Sequence, residues 1–299
     1  MGPGDNQGDG GVLRGMLGAV PRADFIERHY LKLPFAMAGG CRHLTPLGGW
    51  DALDRLLRQP EVDLLVGREG SRRAGEPPRS AAEARAVLAE GFTVGVRRAH
   101  RGDPALAELA AGFRREFASP IDVHLYATPA GAPGLGWHYD AEDVFVLQTA
   151  GSKEWWLRKN TVNPWPLVET LPANMRHERE IMPASRCLLA EGDWLYIPGG
   201  YWHRTQAHEE SLSLSVGVLS AVALDALDAL RPRLLESLLW RQRLPTPGEA
   251  SEMSAEERLR QYRELFAELG RDLAARMADD SFAPAFLAGR STGQGGGEG

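Results

Sequence analysis

The chain has 299 residues, 43% of them hydrophobic and 25% charged, with a formal net charge of −6. This is enough for one large soluble domain, or one domain with a smaller appendage, and the acidic balance argues against a general nucleic-acid binder while leaving a basic protein or peptide substrate open. The two cysteines, Cys41 and Cys187, lack any metal-ligand spacing and point to a reducing compartment, and no stretch reaches the ~18 to 20 apolar residues of a membrane span.

Residues 1 to 20 are Gly-rich and polar, without the charged and apolar regions of a signal peptide, and read as a disordered lead on a cytoplasmic protein. A short helix is expected over Asp24 to Tyr30, followed by an extended piece that Pro34 keeps from being helical. Leu53, Leu56 and Leu57 give Trp50 to Arg58 an amphipathic helical period, and Val62 to Val66 reads as a strand. The charged, Gly- and Pro-rich stretch Arg68 to Arg79 is a loop. Phe92 to Val96 is a strand, and Pro104 to Phe117 a helix with Leu106, Leu109, Ala110 and Phe113 on one face.

From Ile121 the period becomes that of strands: Val123, Leu125 and Ala127 alternate with His124, Tyr126 and Thr128. Further strands are expected from Gly136 through Gln148, and at Lys153 to Arg158, Cys187 to Ala190, Trp194 to Ile197 and Leu212 to Val218. Cys187, in an apolar run, reads as a buried small hydrophobe. Short strands at turn-separated spacing suggest a sandwich or small barrel. After Ser220 the pattern is helical. Leu227, Leu230, Leu234 and Leu238 step by three and four, with Pro232 a kink or restart. A linker follows around Pro245 to Ala250, then a capping box at Ser254 to Glu257 and an apolar stripe from Leu259 to Met277.

Chemistry concentrates in two segments. His138 and Asp140, at i and i+2 of an expected strand, point the same way, and His203 after a Pro-Gly-Gly turn is the candidate third arm. Two His and one carboxylate around open positions is the ligand set of non-haem Fe(II) oxygenases. Lys153, on the following strand, would need an anionic partner if buried, which a carboxylate co-substrate would supply. His124 shares a strand face with Tyr126 and is a candidate second contact. Glu142 falls on the face of Asp140 as a rim contact, while Asp143 reads as structural.

The segments from Tyr126 to Asp140, Asp143 to Gln148, Gly151 to Trp155, Gly192 to Pro198 with His203, and Leu214 to Gly217 resemble the JmjC-type ribosomal oxygenases. These are cupin-fold hydroxylases acting on histidine or arginine side chains of ribosomal proteins. The resemblance runs over roughly residues 24 to 220 and implies a mostly β core with α: a double-stranded β-helix with flanking helices and a C-terminal helical appendage. It implies Fe(II) held by His138, Asp140 and His203, with 2-oxoglutarate as co-substrate on Lys153 and near Tyr126 and Ser215. His124 stands where eukaryotic members have Asn.

The expected organisation is a disordered lead (1–20), a catalytic domain (21–220), a helical dimerisation region (221–290) and a disordered tail (291–299). The chain ends where the family continues into a winged-helix domain. The expected partners are a protein or peptide substrate and, from the apolar stripes after Ser220, a second copy of the chain, without nucleic acid or membrane. A peptide-tailoring hydroxylase of the same chemistry, a non-oxidative metal cupin and a non-catalytic binding module are the competing readings.

Overall fold

The computed structural model describes residues 11–172, 175–246 and 252–291. The chain divides into two compact units, Met1–Ser220 and Ala221–Gly299. In the first, helices α1 (Val12–Leu17) and α2 (Arg22–Arg28) precede strand β1 (Phe35–Met37) and helix α3 (Trp50–Leu57). Then come the hairpin β2 (Asp63–Arg68) and β3 (Ser71–Arg72), helix α4 (Ala81–Ala89), strand β4 (Thr93–Arg97) and helix α5 (Pro104–Phe117). The remaining strands are β5 (Ile121–Thr128), β6 (Asp143–Ala150), β7 (Lys153–Arg158), β8 (Ser185–Leu189), β9 (Trp194–Ile197), β10 (Trp202–Ala207) and β11 (Ser211–Val218).

Helix α5 shows why the local sequence folds as it does. Asp103 caps it, accepting from the Ala105 and Leu106 amides, and Pro104 sits in the first turn, where no amide hydrogen is needed. Its Leu106, Leu109, Ala110 and Phe113 are buried, as their spacing predicts. The expected disordered lead is corrected in part. Residues 1–10 lie outside the described residues, but α1 is ordered because Leu13, Met16 and Leu17 are buried in the core.

Among the described residues the strands form an eight-stranded sheet, ordered β1-β9-β6-β11-β5-β4-β2-β3, and a three-stranded sheet, β10-β7-β8. All pairings are antiparallel. One face of the large sheet sends Val123, Leu125, Ala127, Leu212, Leu214 and Val216 into a cluster with Leu13, Phe25, Leu53 and Phe113 of the helices. Its other face sends Val144, Val146, Leu195 and Ile197 against Trp155, Leu157 and Leu189 of the small sheet. Burying each such side chain contributes roughly 1.5–3 kcal/mol, so both interfaces hold the layers together. The architecture is the double-stranded β-helix with helices packed outside it.

Between β7 and β8 the chain makes a long excursion whose ends are tied by one buried carboxylate. Glu180 accepts from the Thr161 amide (2.6 Å) and hydroxyl (2.9 Å), and from the Ile181 and Met182 amides (3.0 and 3.2 Å). Cys187, at the far end, is only half-buried, so the expected burial is incomplete there.

The second unit is helical, with α6 (Ala223–Glu236), α7 (Leu238–Arg241), α8 (Ala255–Met277) and α9 (Phe282–Ser291). Helix α6 runs through Pro232 and ends at Ser237, where α7 begins. Ser254 caps α8 by accepting from the Glu257 amide. Leu259, Phe266 and Met277 of that helix are exposed. Of the expected linker, residues 247–250 lie outside the described residues, as do residues 292–299 of the expected tail; Ser291 closes α9.

Candidate metal centre

His203 is the second residue of β10, buried, and paired on the other side with Leu157 of β7. His138 is not on the strand expected for it. It forms an isolated antiparallel bridge with His203, each amide donating to the other's carbonyl at 3.1 and 2.8 Å, and β6 begins only at Asp143. The break at Asp140 to Glu142 arises because the Asp140 carbonyl is taken by the Gly200 amide at 2.7 Å rather than by a sheet neighbour. Gly200 has φ +82°, and a Cβ there would stand 2.7 Å from the Pro164 carbonyl oxygen, so the turn requires glycine.

The bridge sets the two imidazoles 4.2 Å apart, centroid to centroid, and Asp140 Oδ2 lies 3.5 Å from His203 Nε2. One ligand-type atom from each of His138, Asp140 and His203 falls within 4.8 Å of the others. Each ring binds the carbonyl two residues before it through Nδ1: His138 to Gly136 and His203 to Tyr201, both at 3.0 Å. A carbonyl accepts only, so Nδ1 carries the hydrogen and Nε2 keeps its lone pair toward the centre. Burial, together with neighbouring His138, pushes the His203 pKa down to about 4, which keeps that ring neutral, the form that ligates. The donor set fits a divalent transition metal with two nitrogens, one carboxylate and open positions.

A pocket of about 270 Å³ opens beside these three residues. Lys153, Tyr126 and Ser215 line it, together with Thr93, Thr128 and Thr205. Lys153 is 3% exposed, and its Nζ donates to Thr128 Oγ1 (3.1 Å) and Ser213 Oγ (3.2 Å). Among the described residues it has no carboxylate within ion-pair range. Burial therefore pulls its pKa down to about 8. The Thr93 hydroxyl is buried there with no hydrogen-bond partner. Tyr126 fits only because its partner across β4 is Gly95, where a Cβ would stand 2.6 Å from the Tyr126 ring.

His124 lies outside the residues lining the pocket. Its ring centre is 6.2 Å from that of Tyr126, its Nδ1 accepts from the Arg98 amide (3.3 Å), and burial lowers its pKa. Glu142 is pushed up to about 7, by burial and then by Asp140. Asp143 is buried and structural, accepting from Tyr196 Oη (2.7 Å), Ser220 Oγ (2.6 Å) and the Gly199 amide (3.1 Å). The lysine's partners Thr128 and Ser213 were not singled out from sequence. Strand alternation carried the signal, since Thr128 shares the face of Tyr126 and Ser213 that of Ser215.

Residues 103–225 match the family model of the JmjC domain. The chain is 28% identical over 226 residues to the bifunctional lysine-specific demethylase and histidyl-hydroxylase NO66 of Dictyostelium discoideum, covering 70% of this chain and 42% of that protein. It is 39% identical over 93 residues to ribosomal oxygenase 2 of Bos taurus, covering 31% of this chain and 19% of that protein. The chain thus spans less than half the length of these curated relatives. In fold it resembles the ribosomal oxygenase YcfD of Escherichia coli in complex with cobalt and 2-oxoglutarate. That match has TM-score 0.54 and 21% identity, covering 91% of this chain and 71% of that one.

Proposed function

We propose that this chain, a JmjC-domain protein related to the ribosomal oxygenases, is an Fe(II)- and 2-oxoglutarate-dependent oxygenase that hydroxylates an amino-acid side chain of a protein or peptide. One observation carries the reading. A set of two imidazoles and a carboxylate shares its pocket with a buried lysine that lacks a carboxylate partner. A dicarboxylate that reaches both would complete the charge of each. The relatives' names, histidyl-hydroxylase and ribosomal oxygenase, support a substrate of ribosomal type.

His138, Asp140 and His203 are the residues that would hold the iron. When bound, the metal supplies the oxidising chemistry, in which O2 and 2-oxoglutarate are consumed, succinate and CO2 leave, and a substrate C–H becomes C–OH. The protein's own part is positional. The carbonyls of Gly136 and Tyr201 hold each imidazole in the ligating tautomer. Lys153, steadied by Thr128 and Ser213, offers an ammonium to the far carboxylate of the co-substrate, with Tyr126 and Ser215 in the same wall. His124, its ring centre 6.2 Å from that of Tyr126, would support that ring rather than touch the co-substrate.

Residues 21–220 are the proposed catalytic domain and 221–290 the proposed dimerisation region. Leu227, Leu238, Leu259 and Phe266 are exposed on those helices, apolar surface that a second copy of the chain would cover. A cytoplasmic setting agrees with the two free cysteines, and no described helix is long and apolar enough to cross a membrane. The deciding experiment is mass spectrometry of ribosomal proteins and candidate peptides after incubation with the protein, Fe(II), 2-oxoglutarate and O2. A mass gain of one oxygen, dependent on 2-oxoglutarate, is expected. Metal binding without any 2-oxoglutarate-dependent oxidation would point instead to a non-oxidative cupin.

A further inference from the structure

We infer that Trp137 and Arg204, paired on the side of the small sheet facing away from the pocket, are positioning residues that hold His138 and His203 at their ligating separation. The inference rests on reading those histidines as metal ligands.

His138 needs such support because its backbone has little of its own. It lies between Gly136, at φ +84°, and a stretch without regular structure up to Asp143, and its hold on β10 is a single bridge. Side chains alternate across extended backbone, so the residues flanking the two ligands point away from the pocket. With His138 opposite His203 in antiparallel pairing, Trp137 falls opposite Arg204.

These two touch. The Arg204 guanidinium carbon is 5.4 Å from the Trp137 ring centre and 4.5 Å from that of Trp156. Trp156 is the strand partner of Arg204 on β7, a fully paired strand. Arg204 therefore ties the Trp137 ring, next to a residue bridged to β10 at one point, to a strand paired on both sides. Arg158, also on β7, reaches the Trp137 ring at 5.2 Å, and His177 stacks on it at 5.6 Å and 18°.

The chemistry of Arg204 excludes a simpler role. Among the described residues its guanidinium has no carboxylate within ion-pair range, and its Nε is buried without a hydrogen-bond partner. A cation so placed is stabilised by the faces of two indoles, an attraction that strengthens as water is excluded. An arginine kept for a surface ion pair would face a carboxylate instead.

The test uses the full chain and Co(II) alone, titrated by visible absorbance and circular dichroism without co-substrate or turnover. Trp137→Leu and Arg204→Gln should weaken Co(II) binding about 10- to 100-fold, the usual cost of removing a group that orients a metal ligand. They should also alter the Co(II) spectrum, which a role in overall stability alone would leave unchanged. Trp137→Phe should restore most of the affinity, and Arg204→Lys part of it, because a cation remains without the flat guanidinium. Arg186→Gln is the control. Arg186 reaches Trp156 at 5.5 Å and pairs with Glu154 at 3.9 Å, with no ring contact to Trp137, and its loss should change affinity no more than about twofold.

Wild-type affinity and spectrum in folded Trp137→Leu and Arg204→Gln proteins overturn the inference. If Trp137→Leu does not fold, Arg204→Lys decides, with wild-type Co(II) binding and spectrum as the overturning result. A wild-type chain that takes up no Co(II), or a His138→Ala variant that binds it normally, removes the metal reading itself and this inference with it.

Discussion

Strands β5 and β11 lie side by side and contribute to both faces of the large sheet, and the two faces are built from different side chains. Toward the helices they send Val123, Leu125, Ala127, Leu212, Leu214 and Val216, all buried among apolar neighbours. Toward the pocket they send Tyr126, Thr128, Ser213 and Ser215. The serines of β11 are short enough to leave a void and polar enough to keep a buried ammonium hydrogen-bonded. The contrast separates two jobs along one backbone. The apolar face stabilises the fold, and the hydroxyl face holds open a space in which charge can be tolerated.

The sharpest break of this division removes the centre while leaving the apolar face alone. His138→Ala or Asp140→Ala should abolish 2-oxoglutarate-dependent succinate formation with the unfolding transition retained, since a three-armed site missing one arm holds iron poorly. Near-wild-type succinate from either purified variant would remove the metal assignment. The reverse break is Leu214→Ala, which should cost about 2–5 kcal/mol in urea unfolding because the cavity it leaves is fully buried. Its apparent KM for 2-oxoglutarate should stay near that of the wild type; a large rise would mean the two faces are not separable.

A third measurement uses pH. Burial holds the Lys153 ammonium at about 8, against about 10.4 in an unfolded chain. Below pH 8 both states carry the proton, and the folded state bears the whole penalty of burying it. Between these values the unfolded chain binds more protons, so stability should rise with pH. The gain from this group is about 3 kcal/mol by pH 10.4, at about 1.4 kcal/mol per pH unit. Urea unfolding of the wild type and of Lys153→Met at pH 8 and 10.4 isolates it; a difference between the two proteins that does not move toward the wild type contradicts the assignment.

Smaller effects follow at Lys153 and at its partner Ser213. Lys153→Ala should raise the apparent KM for 2-oxoglutarate about ten- to a hundredfold through loss of a charge-assisted hydrogen bond, with Lys153→Arg recovering part and Fe(II) affinity changing little. Ser213→Ala, which removes one of the two hydroxyls on Nζ, should raise it only about two- to tenfold. A larger effect than that of Lys153→Ala would give the serine a contact of its own.

What could be read from sequence follows the same division. Helix α5 and strands β5, β7 and β11 were readable because each has an apolar face with a regular period, and β9 because its short run Trp194 to Ile197 is apolar on both faces. Strand β10 was not, because Trp202-His203-Arg204-Thr205-Gln206 spends its inward positions on the pocket and so lacks an apolar alternation. Helix α4 is Ala-rich, with a weak apolar stripe, and passed unread between a loop and a strand. The candidate pair His138 and Asp140 was singled out by residue type, but its backbone was misread, since a tertiary contact, the Gly200 amide on the Asp140 carbonyl, ends the strand pattern there. His124 shares the face of Tyr126 yet falls short of the pocket wall, a distance that periodicity alone does not carry.

Glu180 has a consequence of an evolutionary kind. By binding Thr161 on one side and Ile181 and Met182 on the other, it closes the excursion between β7 and β8 at its neck. Residues added between positions 162 and 179 would lengthen a loop already closed, at about 0.6 kcal/mol for each doubling of its length. Neither β7 nor β8 would register the change. This stretch includes Asn163, whose side chain donates to Tyr139 Oη at 3.4 Å, and His177, which stacks on Trp137 beside the first metal-site histidine. Insertion and grafting are thus cheap in a segment bordering the candidate centre, where descendants of this chain could change what lies beside it while keeping His138, Asp140 and His203 in place.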